Sequence, residues 1–220
     1  MTTLTTTPCA DVLARLFAEA DESDARLDEW THALSAAERE ELLAGTGDFR
    51  NFYGRLKDFH LAVSRPTASL LYMLARSCRA KAIIEFGTSF GVSTLHLAAA
   101  LRDNGGGRLI STELEASKAA QARENIAAAG LAHLVEIREG DALETLASAL
   151  PASVDLVLLD GAKALYPSVL SVLEARLHAG SWVVADNADR SPRYLARVRD
   201  SAGGFLSVPF AGDVELSLKL

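Results

Sequence analysis

The stretch that most constrains this chain is Lys81–Gly91, KAIIEFGTSFG. Ile83 and Ile84, with Ala82 and Phe86 beside them, make a short apolar run that stops at Gly87. A run of that length bounded by glycine suits a strand buried on both faces of a parallel sheet. After Gly91 the period changes, and Val92, Leu95, His96 and Ala99 recur at helical spacing. A strand therefore turns into a helix through a glycine-lined loop, the geometry of a Rossmann-type nucleotide site. Glu113 closes the next apolar run, Arg108–Glu113, where an acidic side chain is placed to take both hydroxyls of a ribose.

The loop also says which ribose-containing ligand is excluded. A dinucleotide fingerprint needs a middle glycine so that the backbone can approach a pyrophosphate, and Gly87-Thr88-Ser89-Phe90-Gly91 has Ser89 there. Glu85, two residues before Gly87, would repel phosphates and attract a cationic ligand. S-adenosylmethionine carries a ribose, an ammonium and a sulfonium, and no phosphate.

At 220 residues the chain is long enough for one domain with a substantial core. A net charge of −7 argues against nucleic acid or an anionic membrane as a main partner. Cys9 and Cys78 are too few for a disulfide framework, and no Cys/His spacing suggests zinc. No apolar run reaches membrane-spanning length and the first residues, MTTLTTTPCAD, lack signal-peptide character, so the expected location is cytoplasmic.

Taken in order, Thr7-Pro8 reads as an N-cap and first helical position, followed by a helix over 10–20. Residues 21–44 are charged with an apolar stripe, and the capping-box pattern Ser35-Ala-Ala-Glu38 suggests two short helices there. Further helices are expected over 51–62 and 66–78. This prefix, residues 1–62, is expected to form a lid, a substrate wall or a homodimer face, before a core over 63–220. From Lys81 on, strands are expected at 81–86, 108–113, 133–138, 154–159 and 181–185, and helices at 91–102, 116–129, 142–149, 163–178 and 192–201. Two final runs, Phe205–Phe210 and Val214–Leu220, are joined by Ala211-Gly212-Asp213 and must form a hairpin. The expected fold is a single α/β domain: a Rossmann-like, doubly wound, seven-stranded sheet with an antiparallel C-terminal hairpin strand, preceded by an N-terminal helical segment.

Ligands of such a sheet sit beyond the carboxyl ends of its strands. Those ends read Glu85 and Gly87, Glu113, Gly140-Asp141-Ala142, Asp160, and Asp186-Asn187. Asp141 with Glu144 also fits a helix N-cap, and the same turn would suit the amino group of an adenine. Asp160, Asp186 and Asn187 offer side-chain oxygens without sulfur or imidazole, a set for Mg²⁺ or Ca²⁺. Lys163 follows one turn after Asp160 and would take a proton if a nearby cation disfavours its charged form. The plainer alternative leaves both aspartates as caps and Lys163 in solvent.

These segments together resemble the cation-dependent O-methyltransferases, which include catechol and caffeoyl-CoA O-methyltransferases and small bacterial relatives. The resemblance covers about residues 60–220 and rests on IIEFGTSFGVSTLHLA (83–98), LISTELE (109–115), EGDALETL (139–146), VDLVLLDGAKALY (154–166) and WVVADN (182–187). Its specific part is D-x-x-K-x-x-Y at Asp160, Lys163 and Tyr166, followed by Asp186-Asn187. It implies that Glu85, Gly87, Thr88 and Ser93 hold the methionine end of S-adenosylmethionine and its neighbouring backbone, and that Val63 sits at the entrance. Glu113 would bind the ribose, and Asp141 with Ala142 would lie at the adenine. Asp160 would serve cofactor and metal, Asp186 and Asn187 would complete a Mg²⁺ (or Mn²⁺ or Ca²⁺) site, and Lys163 would be catalytic. Gly161 and Ala162 depart from the larger or charged residues that relatives often carry there, and the stretch after Asn187 is short. The implied reaction is methyl transfer to a hydroxyl of a small catechol-like or phenolic substrate. Alternatives are a metal-independent methyltransferase of the same fold, an NAD-dependent dehydrogenase, which Ser89 and the hairpin disfavour, and a non-catalytic cofactor-binding protein.

Overall fold

The computed structural model of the protein describes residues 2–35, 54–200 and 202–220. Seven strands form one sheet: β1 Ala82–Phe86, β2 Arg108–Glu113, β3 Val135–Glu139, β4 Val154–Leu159, β5 Leu177–Ala185, β6 Phe205–Phe210 and β7 Val214–Lys219. Their order is β3-β2-β1-β4-β5-β7-β6, with β1 to β5 parallel and β7 antiparallel to both neighbours. The chain thus reverses direction across the sheet between β1 and β4, the switch point at which α/β folds open a crevice. The Rossmann-like sheet and the hairpin at 211–213 are as the sequence predicts.

Seven helices cross or flank the sheet among the described residues: α1 Cys9–Ala33, α2 Arg65–Ser77, α3 Val92–Asp103, α4 Ala116–Ala128, α5 Ala142–Thr145, α6 Tyr166–Leu173 and α7 Pro192–Arg199. The strand period of two sorts side chains between the faces. Ile83, Leu109, Leu156, Leu158 and Val184 pack with α1, α2, α3 and α4. Ile84, Ile110, Val157, Leu159 and Val183 pack on the opposite face with α6 and α7. Helix α3 is buried from Val92 through Leu101, because α1 and α2 cover the side that the sheet does not.

Several boundaries differ from the sequence reading. Helix α1 runs unbroken to Ala33, since the charged stretch after Ala20 contains neither glycine nor proline and its polar face is solvated. Pro8 occupies the N-cap position, and no side chain caps the helix. Of the helix expected over 51–62, only residues 54–55 are helical among those described, and residues 60–64 have no regular secondary structure. Residues 36–38 of the expected capping box and residues 51–53 fall outside the described residues. Helix α5 is a single turn that ends well before Ala149, whose φ is +54°. Helix α6 begins at Tyr166 with Pro167 in its first turn and passes through a 3₁₀ turn at Glu174–Arg176 into β5. β5 consequently starts at Leu177, before the expected 181.

Candidate functional site

The carboxyl ends of β1, β2 and β4 open into a cleft of about 820 Å³, mouth included, which also takes in the loop after β3 and residues His60–Ala62. Its floor is the Gly87–Gly91 loop. Gly87 has φ +104°, and a Cβ there would lie 2.5 Å from the Asp160 carbonyl oxygen, so the ends of β1 and β4 press together only because position 87 has no side chain. The loop is pinned by hydrogen bonds from the Gly87 and Thr88 amides to the Thr112 carbonyl, at 3.2 and 3.1 Å. Thr88 Oγ1 adds a bond to the same carbonyl at 3.0 Å.

Glu113 stands at the end of β2 with its carboxylate tied by backbone amides: Ser89 N–H donates to Oε2 at 2.8 Å and Glu115 N–H to Oε1 at 2.9 Å. Burial pushes its pKa above the usual carboxylate range, although these bonds and Lys118 oppose the shift. The carboxylate is held facing the cleft with capacity left for further donors, which suits a diol. Asp141 caps α5 by accepting from Leu143 N–H at 2.9 Å, and with Ala142 it also lines the cleft. The two readings of Asp141 are therefore compatible.

Glu85 is placed differently from what its spacing implies. It is fully buried and lies behind the cleft wall, where Ser93 Oγ, Thr94 Oγ1 and Ser111 Oγ donate to its carboxylate at 2.5, 2.6 and 2.6 Å. Burial pushes its pKa up to about 7, against the three hydroxyls. What reaches the cleft is Ser93, which Glu85 orients. Val63 is likewise in the apolar core, and the cleft wall is formed by the residues just before it, His60 to Ala62. In both cases the residue is next to the site, but its side chain is not on the surface of the cleft.

Asp160 lines the cleft and is the corner at which a second group of residues begins. Lys163 Nζ donates to Asp160 Oδ1 at 2.9 Å, and the Asp160 and Asp186 carboxyls are close enough to interact. Burial raises both aspartates, and for Asp186 the neighbouring Asp160 charge raises it further. Asn187, in left-handed backbone at φ +46°, follows Asp186 and donates from Nδ2 to Asp213 Oδ2 at 3.2 Å. Asp160 and Asp186 are thus neighbours, and the Asn187 side chain is engaged by Asp213. Among the described residues no cluster of three or more His, Cys, Asp or Glu side chains is arranged to hold a metal, so any ion here would rest on two carboxylates and the amide.

Several cleft residues escaped the sequence reading, among them His60, Leu61, Thr112, Leu114, Lys118 and Leu165, and the loop residues Ser89 and Phe90 had no binding role in it. The His60 ring stacks on Phe90 at 4.0 Å between centroids, and burial lowers its pKa. Ser89 Oγ and His60 Nδ1 are buried without a hydrogen-bond partner among the described residues. Such orphaned polar atoms on a cleft wall are where a ligand would bond. Lys118 had a legible signal: Lys118, Ala119, Ala122, Asn125 and Ile126 share the buried face of α4.

Among the described residues no helix is long and apolar enough to cross a membrane. Residues 84–188 match the model of a methyltransferase domain. The chain is 36% identical over 138 residues to the catechol O-methyltransferase of Niastella koreensis, covering 61% of this chain and 62% of that protein. It is 30% identical over 160 residues to a putative O-methyltransferase of Mycobacterium bovis, covering 72% of this chain and 68% of that one. In the first comparison, as in that with the catechol O-methyltransferase of Mycobacterium tuberculosis, the chain spans a little over three-fifths of the relative's length. Among solved structures it is similar to the O-methyltransferase TomG of Streptomyces achromogenes, which is involved in tomaymycin synthesis and was solved with S-adenosylmethionine. The TM-score is 0.65 at 29% identity, covering 79% of this chain and 91% of that one. The fold, the strand-end carboxylates and these likenesses agree: the chain belongs to the O-methyltransferase family of class I methyltransferases.

Proposed function

We propose that the protein is an S-adenosylmethionine-dependent O-methyltransferase that methylates a hydroxyl of a small catechol-like or phenolic substrate with the help of a divalent cation, Mg²⁺ in first place. The observation that carries this is the position of Asp160, which lines the nucleoside-sized cleft with one side and meets Lys163 and Asp186 with the other. A cofactor held in the cleft and a substrate held over Asp186 would therefore share a boundary.

The residues fit both groups. For the cofactor, the cleft offers the amide-tied Glu113 carboxylate, the unpartnered Ser89 hydroxyl and Ser93. For the cation, Asp160 and Asp186 are buried carboxylates crowded against each other, a costly arrangement that a hard cation relieves. When bound, the cofactor supplies an activated methyl group and the cation supplies positive charge for a developing oxyanion. The chain's own part is positional. Glu113 accepts from the ribose hydroxyls, Asp141 and Ala142 flank the adenine, and Asp160 and Asp186 orient the acceptor hydroxyl. Lys163, in its neutral form after releasing its own proton to solvent, would then take the proton of that hydroxyl.

One feature favours a metal-independent variant of the same reaction: Asn187 Nδ2 already serves Asp213, and Lys163 Nζ already neutralises Asp160. A homodimer through residues 1–62 belongs to the proposal as well, although the apolar face of the first half of α1 packs on its own domain. The deciding experiment is a methyl-transfer assay on a panel of catechols and phenols with and without EDTA. Methylation lost with chelator and restored by Mg²⁺ is expected. Methylation indifferent to chelator selects the metal-independent reading, and binding of NAD in place of S-adenosylhomocysteine defeats both.

A further inference from the structure

Lys118 is a lysine in the wrong place for a solvated helix. It is 4% exposed, and among the described residues its ammonium makes one hydrogen bond, to the Phe59 carbonyl at 2.8 Å. The Phe90 ring lies 5.3 Å from Nζ. An ammonium carries three donors, so the carbonyl and the ring face leave it incompletely solvated. It lines the cleft. The strongest opposite charge acting on it is that of Glu113, and burial nonetheless holds its pKa below the usual lysine range. Removing a lysine from water for so few contacts destabilises the empty protein unless something else needs the charge.

Two further polar atoms in the same part of the cleft lack partners. Ser89 Oγ is buried beside the amide that holds Glu113, and His60 Nδ1 is buried in the ring stacked on Phe90. Phe90 touches both the His60 ring and the Lys118 ammonium, so Lys118, Ser89 and His60 surround one corner, whose acidic member is Glu113. An acceptor-only carboxylate can receive a diol's protons but cannot serve its oxygens. A donor beside Glu113 completes the recognition.

We infer that Lys118 is a cofactor-binding residue whose ammonium donates to a ribose hydroxyl oxygen while Glu113 accepts from the ribose, with Ser89 Oγ as an auxiliary partner. This rests on the nucleoside reading of the cleft given above. It also gives the Phe59 contact a meaning: the same ammonium that meets the ribose holds the segment carrying His60 against the cleft, so the segment is fastened from the ligand side.

The test compares Lys118→Met with the wild-type protein. Methionine matches the aliphatic stem without the charge, so the ligand-free variant should melt at the same temperature or higher. Its dissociation constant for S-adenosylhomocysteine should rise by about 10- to 100-fold, the range of a hydrogen bond to a charged group. Adenosine should suffer a similar penalty and 2′,3′-dideoxyadenosine none. Should Lys118→Met fail to fold, Lys118→Gln, which keeps an N–H for the Phe59 carbonyl, enters the same comparison. Unchanged affinity for S-adenosylhomocysteine, or equal penalties for adenosine and its dideoxy analogue, overturns the inference alone. A wild-type protein that binds none of the three removes the nucleoside reading and the inference with it.

Discussion

The ring of Phe86 fills the space where a side chain at position 161 would begin: a Cβ on Gly161 would lie 2.5 Å from Phe86 Cζ. The ring is itself fixed, since it is 7% exposed and packs edge-on against Tyr166 at 6.2 Å between centroids. Phe86 and Gly161 thus form one packing unit at the mouth of β1 and β4, and both line the cleft. The small residue that departs from the family pattern is matched by a large one on the neighbouring strand.

Gly161→Ala should therefore destabilise the protein by about 1–3 kcal/mol, the cost of overpacking a fixed core site. Adding Phe86→Leu should recover part of that loss. Urea unfolding of the two single variants and the double variant measures the coupling. Additive losses would show that the ring moves aside freely and that the two positions are independent.

Glu85 gives the fold a pH dependence of definite sign. Its folded pKa is raised to about 7 from 4.5, chiefly by burial, so the folded state binds a proton that the unfolded state releases. The associated stability is present below about pH 4.5 and lost as pH rises through 7. The full difference is roughly 3 kcal/mol at 1.36 kcal/mol per pKa unit. Glu85→Gln does not titrate. The stability of the wild-type protein relative to this variant should accordingly fall as pH rises from 4.5 through about 7, as read from urea unfolding at a series of pH values. A constant difference would mean that the three hydroxyl donors outweigh burial and keep the carboxylate charged.

The sheet was legible because its information is local and periodic. Ile83-Ile84, Leu156–Leu159 and Val183-Val184 are continuous apolar runs, and such runs are strands buried on both faces. The site was legible wherever chemistry sits at a strand end, as with Glu113, Asp160 and Asp186. It was not legible where the decision is three-dimensional. Spacing puts Glu85 at a strand end, but only the fold shows Ser93, Thr94 and Ser111 closing around it. His60 joins the cleft through a segment with no periodic signal, held by Ser23 Oγ, which accepts from the His60 amide at 2.7 Å. The long α1 was missed because charge clusters look like boundaries, whereas helices tolerate them on a solvated face.

Variants of the second group of residues separate metal from cofactor. Asp186→Ala should abolish turnover of a catechol and leave S-adenosylhomocysteine affinity within a few-fold, because Asp186 does not line the cleft. Asp160→Ala should impair both, as it does line the cleft and also pairs with Lys163. Lys163→Ala should lower kcat by about 10²–10⁴-fold with little change in cofactor affinity, the loss expected of a general base. Titration calorimetry and steady-state rates distinguish these outcomes. Loss of S-adenosylhomocysteine binding in Asp186→Ala would place Asp186 in the cofactor site instead.

Tyr166 links these groups from below. Its hydroxyl donates to the Asp186 carbonyl at 2.8 Å, its ring meets Phe86 and Tyr194 edge-on, and Lys163 Nζ lies 5.5 Å from its centroid. The ring is fully buried, so packing fixes it and the hydroxyl fixes the backbone that presents Asp186. Tyr166→Phe keeps the ring and removes the bond to the Asp186 carbonyl. It should cost about 1 kcal/mol in urea unfolding, the ordinary net worth of one hydrogen bond, plus whatever the buried carbonyl loses by going unpaired. If Asp186 holds a cation, the variant should also bind Mn²⁺ about 10-fold or more weakly by electron paramagnetic resonance titration, as expected when a supporting bond to a ligand is removed. S-adenosylhomocysteine affinity should not change. Unaltered Mn²⁺ affinity alongside the stability loss would confine Tyr166 to the core, and Asp186 would then owe its position to the strand alone.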